Sequence, residues 1–307
     1  MKRTLSLIVI SLSLTLLTAC AGGASSPDSL AAVGESSGDS STADVPVART
    51  PDAGFDFARV ISVLTREDGS GTRDAFISTT GVGDDMFLEA IVFNETNQIL
   101  TNVETNEFSI GYVSVGSLND NIKALAIDGV LPSDETIKDG SYTVQRPLLI
   151  CINPENAENE LVQDFIDFML SAQGQEISGS RWTPVDANPP EYTPSGLSGT
   201  LRVGGSTSVE PLMQAMRQEY IALNPGMEIE ISGGGSGTGI SEAISGVIDI
   251  GMSSRALRDT EVAELIDINI ALDGVAIIVN PNNPIDNMTI DQVRDIFTGE
   301  ITRWSDL

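Results

Sequence analysis

Three glycine- and hydroxyl-rich segments constrain this chain more than any other feature: Gly204-Gly205-Ser206-Thr207-Ser208, Gly233-Gly234-Gly235-Ser236-Gly237-Thr238-Gly239, and Asp68-Gly69-Ser70-Gly71-Thr72. Each follows an apolar run of strand length and precedes a segment of helical period. Strand, tight loop and helix in succession make an α/β protein with largely parallel sheets. Strands are predicted at 59–64, 109–115, 148–152, 200–203, 228–231 and 275–279. Helices are predicted over 209–223, where Val209, Leu212, Met213, Met216 and Tyr220 share one face, and over 161–170. Thr289 and Gln292 form a capping box that opens a further helix.

The same loops carry the chemistry. Glycine lets backbone approach a ligand closely, Ser and Thr hydroxyls donate, and a helix N-terminus presents unpaired N–H groups. Each terminus supplies about half a positive charge, so three supply about +1.5. Arg66 adds a full charge, against about −1.5 to −2 on a phosphate group near neutrality. One such loop alone is as readily a helix cap; three together read as an oxyanion site.

Composition removes other chemistries. The 307 residues contain no histidine and two cysteines, which excludes His-dependent triads and His-ligated or four-cysteine metal sites. The net charge of −28 argues against a nucleic-acid surface. The triple-glycine loop continues into Ile240 and Ser241 rather than the Lys-Ser/Thr of a nucleotide loop. Asp84 and Asp85 read as a solvated turn or helix start, so phosphate-ester hydrolysis lacks both metal ligands and a general base, and no enzyme activity or cofactor is expected.

Residues 1–19 have the form of a signal peptide, with Lys2 and Arg3 ahead of an apolar stretch. The ending Leu17-Thr18-Ala19-Cys20 resembles a lipobox, which implies a lipid-anchored Cys20 at the outer face of the cell membrane. Removal of residues 1–19 takes away two basic and no acidic residues, leaving −30 from the −28 of the whole chain. Residues 20–56 read as a lipidated Cys and a disordered linker. Cys151, inside an apolar run, reads as core.

The segments VGGSTSVEPLM, SGGGSGTGI, IDIGMSSR and LTREDGSGTRDAF, supported by FTGEITRWSDL, IGYVSVGSL and DFIDFMLSAQGQ, resemble the phosphate-binding lipoprotein of the bacterial phosphate ABC transporter. The resemblance covers most of residues 58–307. It implies a two-lobed fold of the type II periplasmic-binding-protein kind, each lobe a mainly parallel sheet flanked by helices and joined to the other by two crossover strands, here 146–153 and 272–280. The family's segment order is rearranged, its second half preceding its first. The sequence therefore reads as a circular permutant whose old ends meet through the linker 186–199. One lobe is expected from 57–146 and 279–307, the other from 147–278, with Leu307 near Phe57. A misassembled product or a domain-swapped oligomer fits the same letters.

Carried over by motif, the resemblance implies that Arg66, Ser70, Gly71, Thr72, Thr207, Ser208, Ser236 and Ser254 bind inorganic phosphate, with Asp68 orienting Arg66. The lobes would close on the ion and present it to permease subunits, the protein acting as a monomer. Ser254 stands where well-known members carry an Asp that accepts the proton of hydrogen phosphate, so weaker discrimination against sulfate is expected. Arg255 beside it could serve the cleft or an ion pair. Capture of sulfate, tungstate or molybdate, or a surface or signalling role on the same fold, are the alternatives.

Overall fold

The computed structural model describes residues 54–307. The expected signal peptide, Cys20 and most of the linker lie outside the described residues. Strands are β1 (Ser62–Arg66), β2 (Ile91–Phe93), β3 (Ser109–Ser114), β4 (Lys123–Ala124), β5 (Ala126–Ile127), β6 (Gln145–Ile152), β7 (Gly199–Gly205), β8 (Met227–Gly233), β9 (Ile250–Ser253), β10 (Ile266–Val279) and β11 (Asn287–Met288). Helices are α1 (Gly71–Thr80), α2 (Thr96–Thr105), α3 (Asp134–Lys138), α4 (Glu160–Met169), α5 (Ala172–Ser178), α6 (Glu210–Leu223), α7 (Ser236–Ile244), α8 (Asp259–Val262) and α9 (Ile290–Thr298).

One long sheet runs β2-β1-β3-β10-β6-β9-β7-β8. Its two wings are parallel, β2 with β1 and β1 with β3 in one, β9 with β7 and β7 with β8 in the other. The centre is antiparallel: β10 pairs with β6 through its first two thirds and with β3 through Val275–Val279. Strand β10 thus passes from one wing to the other, as the crossover reading requires.

Two apolar cores lie on either side of that passage. Leu148, Ile150, Phe165, Met213, Tyr220, Ile250 and Ile270 belong to one; Ile61, Phe76, Ile110, Tyr112, Val144, Val275, Ile277 and Phe297 belong to the other. Within β10, Ala271 belongs to the first of these cores and Leu272 packs against the second. The apolar run 275–279 was legible as a strand and 272–280 followed from the resemblance, but the first six residues of β10, broken by Asp267 and Asn269, were not legible.

Sequence and structure differ at other points too. The first strand begins at Ser62, because Ile61 N–H bonds the Thr302 carbonyl (2.8 Å) and Val60 bridges Arg303. Those bonds place the C-terminal segment against the start of the folded part. Leu307 packs into the same core as Phe57, and Trp304 and Phe55 are 5.9 Å apart at their ring centroids, so ordered packing already includes Phe55.

The linker 186–199 has no regular structure before β7, yet it is docked. Tyr192 is buried, and its hydroxyl donates to Asp164 Oδ2 at 2.9 Å; the Ser195 hydroxyl donates to the same oxygen at 2.8 Å. Ala172 N–H bonds the Pro190 carbonyl at 2.8 Å. The Thr289–Gln292 capping box forms as expected. Cys151 is fully buried against Leu149, Ile240 and Ala243, and desolvation pushes its thiol up to about 12. Asp84 lies in an exposed turn and neighbouring Asp85 is exposed as well.

Candidate functional site

Strands β1, β7, β8 and β9 end at the same place, and their C-terminal loops meet there, the position where open α/β sheets hold ligands. Arg66 closes β1 and is almost completely buried, 2% exposed. Gly69 (φ +88°) turns the chain, and Ser70 caps α1, its hydroxyl accepting from Arg73 N–H at 3.3 Å. Gly71 and Thr72 occupy the first helical turn, where backbone N–H groups have no intrahelical partner. Opposite them, Ser206, Thr207 and Ser208 lead into α6, Gly235 (φ +86°) leads into Ser236 at the start of α7, and Ser254 follows β9.

Side chains from the two lobes meet directly. Arg66 Nη2 donates to Thr207 Oγ1 at 3.1 Å, and the Thr72 and Ser208 hydroxyls are 2.7 Å apart. Gly237 N–H bonds the Gly69 carbonyl at 2.9 Å. A Cβ at Gly71 would collide with the hydroxyls of Ser236 and Ser254, so this approach requires glycine. Ser206 Oγ donates to Ser254 Oγ at 2.9 Å, and Ser254 N–H bonds Ser236 Oγ at 3.1 Å. All eight sequence-assigned ligand residues are therefore brought together around one buried set of hydroxyls and backbone donors.

Asp68 is the exception among the assigned residues. Its side chain is 93% exposed and pairs with Arg73, whereas the Arg66 guanidinium is held by Glu67, Nε to Oε2 at 2.8 Å and Nη2 to Oε1 at 2.9 Å. The chain leaves the strand immediately after Arg66, and the turn at Gly69 carries Asp68 out to solvent. Glu67 was legible only as a neighbour in sequence.

Other contributors had no signal. Thr96, at the start of α2 in a loop without glycine, places Oγ1 3.2 Å from Arg66 Nη1. Behind Ser254, the buried Arg146 donates to Asp273 Oδ2 from Nε and Nη2 at 3.0 and 2.9 Å, and from Nη1 to the Ser254 carbonyl at 3.4 Å. Arg255 forms an ion pair rather than a cleft donor. Its Nη1 and Nη2 donate to Glu261 at 2.7 and 2.8 Å, and its Nε stands 3.0 Å from Asp74 Oδ2 across the lobes as a charge contact without aligned hydrogen-bond geometry. The hydrogen bonds from Arg255 hold the Glu261 carboxyl below its ordinary value.

A cavity of about 620 Å³ opens beside Arg66, lined among others by Glu67, Asn94, Thr96, Thr207, Glu210 and Gln214. Glu67, Glu95 and Glu210 are among its lining residues, Glu67 being paired with Arg66. Among the described residues no cluster of three or more Cys, Asp or Glu is placed to hold a metal ion, and no helix is long and apolar enough to cross a membrane.

A family model described as a PBP superfamily domain matches residues 25–173 and 190–307. The phosphate-binding protein PstS 2 of Streptococcus agalactiae serotype V is 40% identical over 258 residues, covering 80% of this chain and 87% of that protein. This chain belongs to the PBP superfamily, in the family of the PstS phosphate-binding proteins. Its PstS 2 relative in Streptococcus pneumoniae serotype 4 is 40% identical over 253 residues, covering 80% of this chain and 86% of the relative. The crystal structure of a phosphate-binding protein of a phosphate ABC transporter from Streptococcus pneumoniae TIGR4 superposes with a TM-score of 0.66 at 39% identity, covering 81% of this chain and 99% of that one. For a PstS-family member, two lobes meeting at a buried arginine and a set of hydroxyls are the parts a binding cleft needs.

Proposed function

We propose that this protein captures inorganic phosphate between its two lobes and delivers it to the permease of an ABC transporter, as a binding protein and not an enzyme. The observation that carries the reading is Arg66: a buried guanidinium in one lobe that bonds Thr207 of the other, at the point where Ser70, Gly71, Thr72, Ser208, Ser236 and Ser254 converge. Closure places forked, charge-assisted donors and neutral hydroxyls around one ion, and separation of the lobes releases it. The protein works outside the cytoplasm, held by a lipid on Cys20, as a monomer.

The segment order belongs to the working protein and is not a scar of assembly. The docked linker supports this, as does a match to the streptococcal relatives that runs through 80% of the chain in this order.

Capture of sulfate is the second reading, and Ser254 favours it. Its hydroxyl both donates and accepts, whereas a carboxylate there would repel a fully ionised oxyanion. Calorimetric titration of the purified protein, stripped of carried-over ligand by unfolding and refolding, with phosphate and sulfate in parallel, tests both. One-to-one phosphate binding is expected, with sulfate less than about 10⁴-fold weaker, short of the discrimination a bidentate polar contact can supply. A folded monomer that binds neither ion overturns the reading.

A further inference from the structure

Thr96 opens α2 and is 4% exposed. Its Oγ1 lies 3.2 Å from Arg66 Nη1 within its own lobe, and 3.3 Å from both Thr207 Oγ1 and Ser208 Oγ in the other. No other described hydroxyl is within hydrogen-bond distance of both the buried guanidinium and two hydroxyls of the opposing loop.

The direction of these bonds follows from what each group can do. A guanidinium only donates. Arg66 Nη1 therefore donates to Thr96, and Nη2 donates to Thr207. Each threonine oxygen has used a lone pair on the arginine, which turns its proton away, and Thr96, with one proton for two neighbours, donates it to Thr207 or to Ser208. Whichever of the two accepts from Thr96 is left to donate onward, Thr207 into the cleft or Ser208 toward Thr72 or a bound oxygen. That branch of the hydroxyl chain is polarised outward from Arg66 and ends in a proton. The neighbouring carboxylate, Glu67, is occupied by Nε and Nη2 of the same arginine.

Resting on the oxyanion-binding reading above, we propose that Thr96 is a positioning and specificity-determining residue: it holds Arg66 and orients the opposing-loop hydroxyl that accepts from it, Thr207 or Ser208, as a donor, so that the closed site prefers an oxyanion whose oxygens all accept. Phosphate then binds better as its second proton leaves. Without the Thr96 hydroxyl, Thr207 and Ser208 are free to turn lone pairs toward a protonated oxygen.

The test is calorimetry with inorganic phosphate and with sulfate, at pH values below and above the second ionisation of phosphate, on the wild-type protein and on T96V and T96S. T96V keeps the shape and loses the hydroxyl; T96S keeps it. Wild type is expected to bind phosphate more tightly at the higher pH. T96V is expected to bind both ions about tenfold or more weakly, the loss of a hydrogen bond to a charged group, and with a flattened pH dependence for phosphate. T96S is expected within about threefold of wild type, since it retains that bond. A role confined to packing would lower the melting temperature of T96V and leave the pH dependence of binding intact. T96V binding within twofold of wild type, with the same pH slope, overturns the proposal and leaves phosphate binding standing; wild type that binds neither ion overturns the underlying reading instead. Should T96V not fold, a crystal structure of wild type with phosphate decides: Thr96 Oγ1 beyond hydrogen-bond reach of Arg66 Nη1 in the closed complex sinks it.

Discussion

Arg146 and Asp273 face each other across the two antiparallel crossover strands, and one carboxylate oxygen, Oδ2, accepts from both Nε and Nη2 of the arginine at 3.0 and 2.9 Å. Ser114 donates to the other oxygen at 3.0 Å, and Arg146 Nη1 reaches the Ser254 carbonyl. The pair therefore ties β6, β10, β3 and a cleft loop together at the passage between lobes. Burial pushes the Asp273 carboxyl above its ordinary value while Arg146 pulls it back, and burial lowers the Arg146 guanidinium.

Leaving either ion without its partner is costly in such a setting. D273N and R146M are each expected to lose about 3–5 kcal/mol of unfolding free energy, and a double replacement by apolar residues of similar volume to lose less than the sum. Urea unfolding measures this. Single variants within about 1 kcal/mol of wild type would mean that the pair is solvated in solution.

Asp74 bridges the lobes from the other side of α1. Its Oδ2 lies 3.0 Å from Arg255 Nε and 3.1 Å from Arg258 Nη2, with Arg258 63% exposed. Because these contacts exist only when the lobes are together, they favour closure and hence ligand retention. D74N is expected to weaken phosphate binding several-fold, within the roughly 1 kcal/mol of a partly exposed pair, and the difference should shrink at high salt. An effect that is the same at low and high ionic strength would contradict an electrostatic latch.

Tyr112 links the arginine strand to the core. Its hydroxyl is 2.7 Å from Thr65 Oγ1 and accepts from Arg66 N–H at 3.1 Å, and burial pushes its pKa from 10.0 to about 12. The folded state holds this proton after the unfolded chain has released it, so the stability contributed is complete below pH 10 and is lost as pH rises to about 12. Tyr142, Tyr192 and Tyr220 are shifted in the same direction by burial. Y112F should reduce the alkaline fall in stability by about 1.4 kcal/mol per pH unit within that window. Denaturant unfolding across it reads the slope, and an unchanged slope would count against a buried hydroxyl.

Asp164 anchors the joint between the rearranged halves. One oxygen, Oδ2, accepts from Tyr220 at 2.6 Å as well as from Tyr192 and Ser195 of the linker. D164A is expected to lose about 1–3 kcal/mol, the cost of stranding buried hydroxyls, and to expose 186–199 to limited proteolysis. Cleavage of wild type and variant at equal rates would show that the linker is held by something else.

Much of the site was legible because its parts are local. A glycine, a hydroxyl and a following helix are all specified within a few residues, so GGSTS, GGGSGTG and DGSGT could be read as donor loops wherever they lay in the fold. Which carboxylate holds Arg66 was not legible, since Glu67 and Asp68 differ only in where the chain turns. Nor was Thr96, whose surrounding residues, Asn94-Glu95-Thr96-Asn97, carry no loop signature.

By itself the sequence determined the βα units, the glycine- and hydroxyl-rich loops and the capping box at Thr289, since each depends on neighbours in the chain. Only the tertiary structure decided that β10 starts as early as Ile266, that Arg146 and Asp273 meet, and that Thr96 stands between Arg66 and Ser208. Arg146 and Asp273 lie 127 positions apart in the chain, and Thr96 and Ser208 lie 112 apart. Such contacts arise because apolar faces on both halves must be buried at once, and no periodicity along the chain records where the buried faces bring polar groups together.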